Sequence, residues 1–326
     1  MSPIKTGVVG VGKMGEYHVG VLSELPEAEL VGIADIDETR AESIGKKYGI
    51  PHYARCADMI GRVDAIVIAV PTSSHYSVAK EFLAAGVHVL LEKPCANTLQ
   101  DARELFDLAG KKRLTLHVGH IERFNGAVQE LHKLVTDPLF VECKRTSPYS
   151  DRIKDDGVVM DVMIHDIDIV LNLIQSKVSA VNVMGISVFS GKDDIVNAQI
   201  EFENRCVANL VASRASQNKE RTLSVTQKDS FVLLDYTEQE IFVHRQSSSE
   251  NVMRKGFLRY KQESLVERIF VHKDNPLKLE LKHFLDCAGN GSPRKVAAEK
   301  ELYSLEIALD ILKQFDDRKT RGARDA

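Results

Sequence analysis

Short apolar runs and helical stretches alternate along the chain from Ile4 to Val118. Residues 4–9, 29–34, 65–70, 87–91 and 114–118 are rich in Val, Ile, Leu and Ala and bounded by turn-forming or polar residues, so they predict buried strands. Between them apolar positions recur at helical spacing, from Lys13 to Leu25 and over 38–47, 73–85 and 98–111, with a helical turn at 58–60. Gly49, Pro51 and Gly86 break these helices, and Thr98 with Asp101 reads as an N-cap and first-turn acid. Such βα repeats predict a doubly wound parallel sheet of the α/β class, with ligands at the carboxyl ends of its strands. The loops after Val9, Ala34, Val70 and Leu91 should therefore line one crevice.

Near Gly119 the rhythm changes. A polar crossing over 120–125 leads to a helix over 127–135, a strand over 139–146 and an irregular polar loop over 147–157. Residues 158–174 are strongly helical. A meander of strands follows at 180–188, 197–202, 207–213, 221–226, 230–235 and 240–244, with the alternation of an open, mainly antiparallel sheet. The polar stretch 246–257 reads as a mobile loop, 277–288 and 299–315 as helices, and the charged tail 316–326 as frayed. The expected organisation is a Rossmann domain over 1–121, an α+β domain over 122–315 and a tail.

The first strand, turn and helix carry a specific signal. Gly10, Gly12 and Gly15 stand in G-x-G-x-x-G register, followed by Lys13 and Met14 at the helix start, and Asp35 ends the second strand. In a dinucleotide site the glycines serve a tight turn, close backbone approach to a pyrophosphate and close helix–strand packing. The helix N-terminus aims free N–H groups at the diphosphate. An acid at the position of Asp35 bonds the ribose hydroxyls and repels a 2′-phosphate, which favours NAD, although Arg40 keeps NADP open.

Composition narrows the classes. The chain is 44% apolar and 28% charged, as in ordinary globular proteins, and its 43 basic against 47 acidic residues give a net charge of −4. There is no electrostatic case for nucleic acid or an anionic membrane. No apolar run is long enough for a bilayer. No leader is evident, and five scattered cysteines without a C-x-x-C pair fit reduced thiols in the cytoplasm and no zinc motif. Trp is absent, so sugar stacking on an indole is excluded.

Three later stretches are candidate chemistry. Glu92-Lys93-Pro94 ends a strand where Lys93 can polarise a substrate oxygen, or simply be a solvated lysine beside Glu92. Pro94 fixes the chain direction there. Asp161 and His165 stand at i and i+4 in an otherwise apolar helix, an expensive place for polar groups unless used. His165 suits proton exchange with a hydroxyl, with Asp161 as its orienting group; the plainer alternative is a helix cap and a core histidine. Asp166 and Asp168 raise a metal reading with His165, but successive helix positions face different ways. At the crossing, Arg123 and Asn125 are candidates for cofactor ribose or substrate hydroxyls, or a hinge held by ion pairs. Arg145, Tyr149, Arg152 and Lys154 cluster near the loop before Gly157, suited to a phosphate or to plain surface charge.

Taken together, GVGKMG at 10–15, Asp35, PTSSH at 71–75, EKP at 92–94 and DVMIHDID at 161–168 resemble the glucose–fructose oxidoreductase / inositol dehydrogenase / rhizopine catabolism (Gfo/Idh/MocA) family over nearly the whole chain. The resemblance implies NAD(P)-dependent oxidation or reduction of sugars or inositols, a catalytic group of Lys93, Asp161 and His165, and homodimers or homotetramers packed through open sheets. It also implies that Pro71, Thr72, His75 and Glu92 belong to the cofactor site. Residues 118–128 and 147–170 are similar to the family's UDP-N-acetylglucosamine 3-dehydrogenases, which oxidise the 3-hydroxyl to a keto sugar; 149–154 departs from the Pro-rich form expected there. An inositol or free-sugar dehydrogenase is the alternative substrate class. A non-catalytic NAD-binding redox sensor is the alternative of another kind, but it needs no joint Lys93, Asp161 and His165.

Overall fold

A computed structural model describes residues 2–150, 156–254 and 257–322. The chain divides into two compact units, Met1–Phe124 with Asp274–Leu309, and Asn125–Lys273 with Asp310–Ala326.

The first unit is built on six parallel strands: β1 (Ile4–Val9), β2 (Ala28–Ala34), β3 (His52–Tyr53), β4 (Ala65–Ile68), β5 (His88–Glu92) and β6 (Leu116–Gly119). Their order is β3-β2-β1-β4-β5-β6, so the winding reverses between β1 and β4, the switch point at whose carboxyl ends such sheets bind ligands. The helices α1 (Lys13–Glu24), α2 (Glu38–Tyr48), α3 (Thr72–Ala84) and α4 (Leu99–Lys112) make the crossovers. Thr98 caps α4 through the Asp101 N–H, and Gly49 ends α2 at φ 68°. The two-residue β3 is missing from the sequence pattern because no periodicity can show in so short a run.

The second unit opens with α5 (Gly126–Leu134) and β7 (Phe140–Thr146). A π-helical turn, Val159–Met163, leads directly into α6 (Ile164–Leu173). Then come β8 (Val178–Ile186), β9 (Ile195–Phe202), β10 (Val207–Ser213), β11 (Glu220–Thr226), β12 (Phe231–Asp235), β13 (Glu240–Arg254) and β14 (Phe257–Ile269). The eight strands lie in the order β14-β13-β12-β11-β7-β10-β9-β8, antiparallel except for β7 beside β10. One face is buried through Val141, Cys143, Ala198, Ile200, Leu210, Leu223, Val225 and Leu234, while Phe140, Met184, Ile186 and Phe231 are exposed.

Three expectations are corrected. The helix α7 (Pro276–Asn290) belongs to the first unit, because Leu277, Leu281, Phe284 and Leu285 join Val8, Val19, Leu22 and Leu90 in one core. The early part of α8 (Ala298–Gly322) goes with it. Local pattern shows that a helix has an apolar face, not which core that face enters. The expected loop at 246–257 is strand on either side of residues 255–256, which lie outside the described residues. Its Ser-rich, polar composition hides the strand signal; the pairing comes from the partner, with Ser249 opposite Gln262 and Asn251 opposite Tyr260. Finally, α8 runs to Gly322, so 316–322 is helix rather than frayed tail, continuing from the buried Ile311 and Phe315; residues 323–326 lie outside the described residues.

Candidate active site

The glycine turn after β1 is shaped by two close approaches. Gly10 has φ +81°, and a Cβ on it would lie 2.7 Å from the Ala69 carbonyl oxygen. A Cβ on Gly15 would lie 1.8 Å from the Gly10 carbonyl oxygen. Both positions therefore exclude any side chain. Gly12 is different: a Cβ there meets no protein atom within 4 Å. Nothing in the protein demands glycine at that point, but a pyrophosphate lying against the backbone does. Gly12 caps α1 without a side chain, and the first intrahelical bond is Glu16 N–H to Gly12 O at 2.8 Å. The N–H groups of Lys13, Met14 and Gly15 precede it and form an anion-binding helix start.

Asp35 is locked to this turn. Its Oδ2 accepts from Val11 N–H at 2.8 Å and its Oδ1 from Asp37 N–H at 2.9 Å. Arg40 approaches Asp35 at 3.5 Å but is shared with Asp37, which takes its guanidinium at 3.0 Å. The cradle thus fits a dinucleotide whose ribose meets a carboxylate. Pro71 and Thr72 open α3 at the carboxyl end of β4, on the edge where the cofactor is expected.

Glu92 and His75 have other work than the cofactor contacts expected of them. Both ring nitrogens of His75 face carbonyl oxygens, Nδ1 to Pro94 at 2.8 Å and Nε2 to Val70 at 2.9 Å, with the residue 1% exposed. His75 therefore ties the loop after β4 to the loop after β5. Glu92, buried at the end of β5, holds His18 Nε2 of α1 at 2.6 Å and accepts from the Lys93 N–H at 3.3 Å. Burial pushes the Glu92 carboxyl up, but His18 and Lys93 outweigh it and hold it below the ordinary 4.5. Lys93, half-buried, is presented by this braced turn, and its bond to Pro94 is cis. His18 went unrecognised because, in sequence, it is one residue of an amphipathic helix.

Arg123 and Asn125 are also committed elsewhere. Arg123 makes a two-pronged pair with Glu301, at 2.9 and 3.0 Å, and Glu301 also takes Arg294 at 3.1 Å. This clamp fastens the crossing to α8 within the first unit. Asn125, 3% exposed, caps α5 through Ala127 N–H and donates to the Tyr236 carbonyl, both at 3.0 Å. Both side chains thus have structural partners within their own units.

In the second unit, Asp161 lies in the π turn and His165 on α6, and both are half-buried while Met163, Ile164 and residues 166–170 are buried. The i, i+4 argument assumes regular α-helix; here the wider turn sets their spacing instead. Asp166 and Asp168 have partners of their own. Asp166, 1% exposed, binds Arg145 Nε at 2.7 Å, and Asp168 accepts from Asn172 at 3.3 Å. Arg145 is therefore a buried structural cation, lying over the Tyr236 ring, and not part of a phosphate loop. Tyr149 packs at 5.0 Å from the Phe189 ring with Arg214 over its face; Arg152 and Lys154 lie outside the described residues.

The π turn has an anchor that sequence reasoning missed. Asp193 accepts from Val159 N–H at 2.8 Å, and its backbone carbonyl accepts from Val158 N–H at 2.9 Å. A Cβ on Gly157 would lie 1.6 Å from Asp193 Oδ1, so only glycine fits. The neighbouring Asp194 gathers the N–H groups of Val188, Phe189 and Ser190 and the Arg214 guanidinium. The adjacent pair Asp193-Asp194 was the available signal, but its partners are distant in sequence.

Comparison with known proteins agrees with this fold. A model of an oxidoreductase family with an NAD-binding Rossmann fold matches residues 4–120, and the GFO/IDH/MocA C-terminal domain matches 123–230. The chain is 30% identical over 249 residues to UDP-N-acetylglucosamine 3-dehydrogenase of Acidithiobacillus ferrooxidans, covering 76% of this chain and 79% of that one. A solved structure of that enzyme superposes with a TM-score of 0.89 at 27% identity, covering 97% and 99% of the two chains. The scyllo-inositol 2-dehydrogenase (NAD(+)) of Bacillus subtilis is 22% identical over 333 residues, 96% of this chain and 94% of the other.

The Glu92–His18 pair has a predictable acid limit. Because the folded carboxyl sits below 4.5, its stabilisation is present above 4.5 and is lost as pH falls through the lower folded value. Urea denaturation of wild type and Glu92→Gln should show a stability gap of about 1–3 kcal/mol at neutral pH that closes in acid. A gap of constant size down to the acid transition would contradict the assignment.

Proposed function

The chain belongs to the GFO/IDH/MocA family of oxidoreductases, and from that premise we propose that it oxidises the 3-hydroxyl of a UDP-linked N-acetylhexosamine with NAD as acceptor. As a family member it is an NAD(P)-dependent dehydrogenase of sugars or polyols. The observation that supports the finer reading is the extent of the match to the UDP-N-acetylglucosamine enzyme, 30% identical over 76% of this chain with a TM-score of 0.89 for its solved structure, whereas an inositol 2-dehydrogenase of Rubrobacter xylanophilus reaches 31% over only 56% of it. The choice of NAD rests on Asp35, a fixed carboxylate, and on Arg40 being shared with Asp37.

Bound NAD supplies the acceptor for the hydride of the carbinol carbon. Gly10, Gly12, Gly15, Lys13 and Met14 hold its diphosphate with backbone groups, and Asp35 its ribose. Lys93 stabilises the substrate oxygen as negative charge develops on it. His165 takes the hydroxyl proton, a role matched to an imidazole whose ordinary pKa is about 6.5. Asp161 orients the imidazole or a neighbouring hydroxyl. Tyr149, Arg152 and Lys154 are the proposed contacts for the nucleotide-sugar side. We place the enzyme in the cytoplasm as a homodimer or homotetramer, joined through the sheet face that exposes Met184, Ile186 and Phe231.

Appearance of NADH tests the substrate. Purified protein with NAD should produce it from UDP-N-acetylglucosamine and not from myo-inositol or free glucose. Turnover of inositol or glucose alone would move the enzyme to the alternative substrate class, and silence with every substrate, with no NADH released on denaturation, would favour a non-catalytic sensor. Lys93→Ala should lower turnover by about 10²–10³ while NADH still binds. Unchanged turnover would remove Lys93 from the chemistry.

A further inference from the structure

The first unit carries metal-type donors away from the glycine turn. His117 lies on β6, and His283 and Cys287 lie one turn apart on α7. One donor atom from each falls within 4.8 Å of the others. Cys287 Sγ is 3.7 Å from His283 Nε2. That matches the roughly 3.6 Å between nitrogen and sulfur across a tetrahedral zinc ion with bonds of about 2.05 and 2.3 Å. The two imidazoles stack with centroids 5.3 Å apart.

A separate observation points to the same place. His117 and His283 line a cavity of about 20 Å³ together with Glu280, Arg123, Lys295 and Glu301. Glu280 is 2% exposed, and neither of its carboxyl oxygens nor His117 Nε2 has a hydrogen-bond partner among the described residues. Buried polar atoms of this kind normally have partners. Glu280, His283 and Cys287 stand at i, i+3 and i+7, one face of α7.

We propose that His117, His283 and Cys287 form a site for a zinc-type divalent cation, with the Glu280 carboxyl lining the same cavity. Thiolate with imidazole is a soft donor set that selects such ions over magnesium or calcium. Binding forms bonds from the sulfur and two ring nitrogens and releases the Cys287 thiol proton to solvent. The Lys295 N–H, which donates to His283 Nε2 at 3.1 Å, turns to water, since Lys295 is exposed. Arg123 and Arg294 share the single carboxylate of Glu301, which offsets one of their two charges. His283 also lines an open groove of about 870 Å³ on the surface of this unit, which gives the ion an entry path.

Titration of the metal-free full-length protein with Co²⁺ tests the site, because a cobalt–thiolate bond adds a charge-transfer absorption band. One equivalent should bind with that band, and Zn²⁺ should displace it and raise the melting temperature. Cys287→Ser, with the other four cysteines intact, should lose the band, and His117→Gln should weaken binding at least about tenfold. Absence of one-equivalent binding by wild type overturns the proposal whatever the variants do. A band that survives in folded Cys287→Ser also overturns it and assigns the ion to adventitious thiols.

Discussion

The first unit depends on a contact that no side chain can survive. The Gly10 carbonyl sits where a Cβ of Gly15 would be, 1.8 Å away, so α1 can start hard against the end of β1 only with glycine at that position. That approach sets where the free N–H groups of α1 point. It also brings the Val11 N–H onto Asp35, at 2.8 Å, so the turn and the end of β2 are held by one carboxylate. The Glu92–His18 pair extends the same bracing from α1 to the end of β5, where Lys93 begins. His75 completes it by joining the loops after β4 and β5. A cradle of backbone groups is thus fixed by buried polar side chains, which exchange water for specific partners at little net cost.

The second unit uses a similar device. Gly157 lets Asp193 come close enough to take the N–H of Val159, and the π turn that starts there carries Asp161 into α6. Irregular helical turns of this type recur at functional sites because they redirect side chains that a regular helix would space evenly. Asp194 and Arg214 hold the loop next to this turn, which carries the proposed orienting group Asp161 and leads to His165.

Much of this was legible in the residues. The glycine register, Asp35 and the βα rhythm carry their own local signals, and β1, α2 and α4 fall within a residue or so of the expected limits. What could not be read depends on partners distant along the chain. Arg123 looks like a ligand-binding cation until Glu301 is placed beside it, and Arg145 looks like a phosphate contact until Asp166 is. Asn125 and Glu92 likewise show their capping and bracing partners only once Ala127, Tyr236 and His18 are placed. The hairpin of β13 and β14 is written in polar residues, whose strand preference comes from pairing and not from composition. The π turn has no sequence period of its own, so it passed as ordinary helix.

The central claim is that the glycines of the turn serve two different ends, Gly15 the fold and Gly12 the dinucleotide. Calorimetric titration of NADH into Gly12→Val, alongside its thermal melt, separates them most directly. Because a Cβ at Gly12 meets no protein atom within 4 Å, the variant should stay folded, with its melt lowered only by the weaker helix cap, and yet lose NADH binding. A variant that binds NADH with unchanged affinity would contradict the account, since the surface beside Gly12 would then not be where the diphosphate lies.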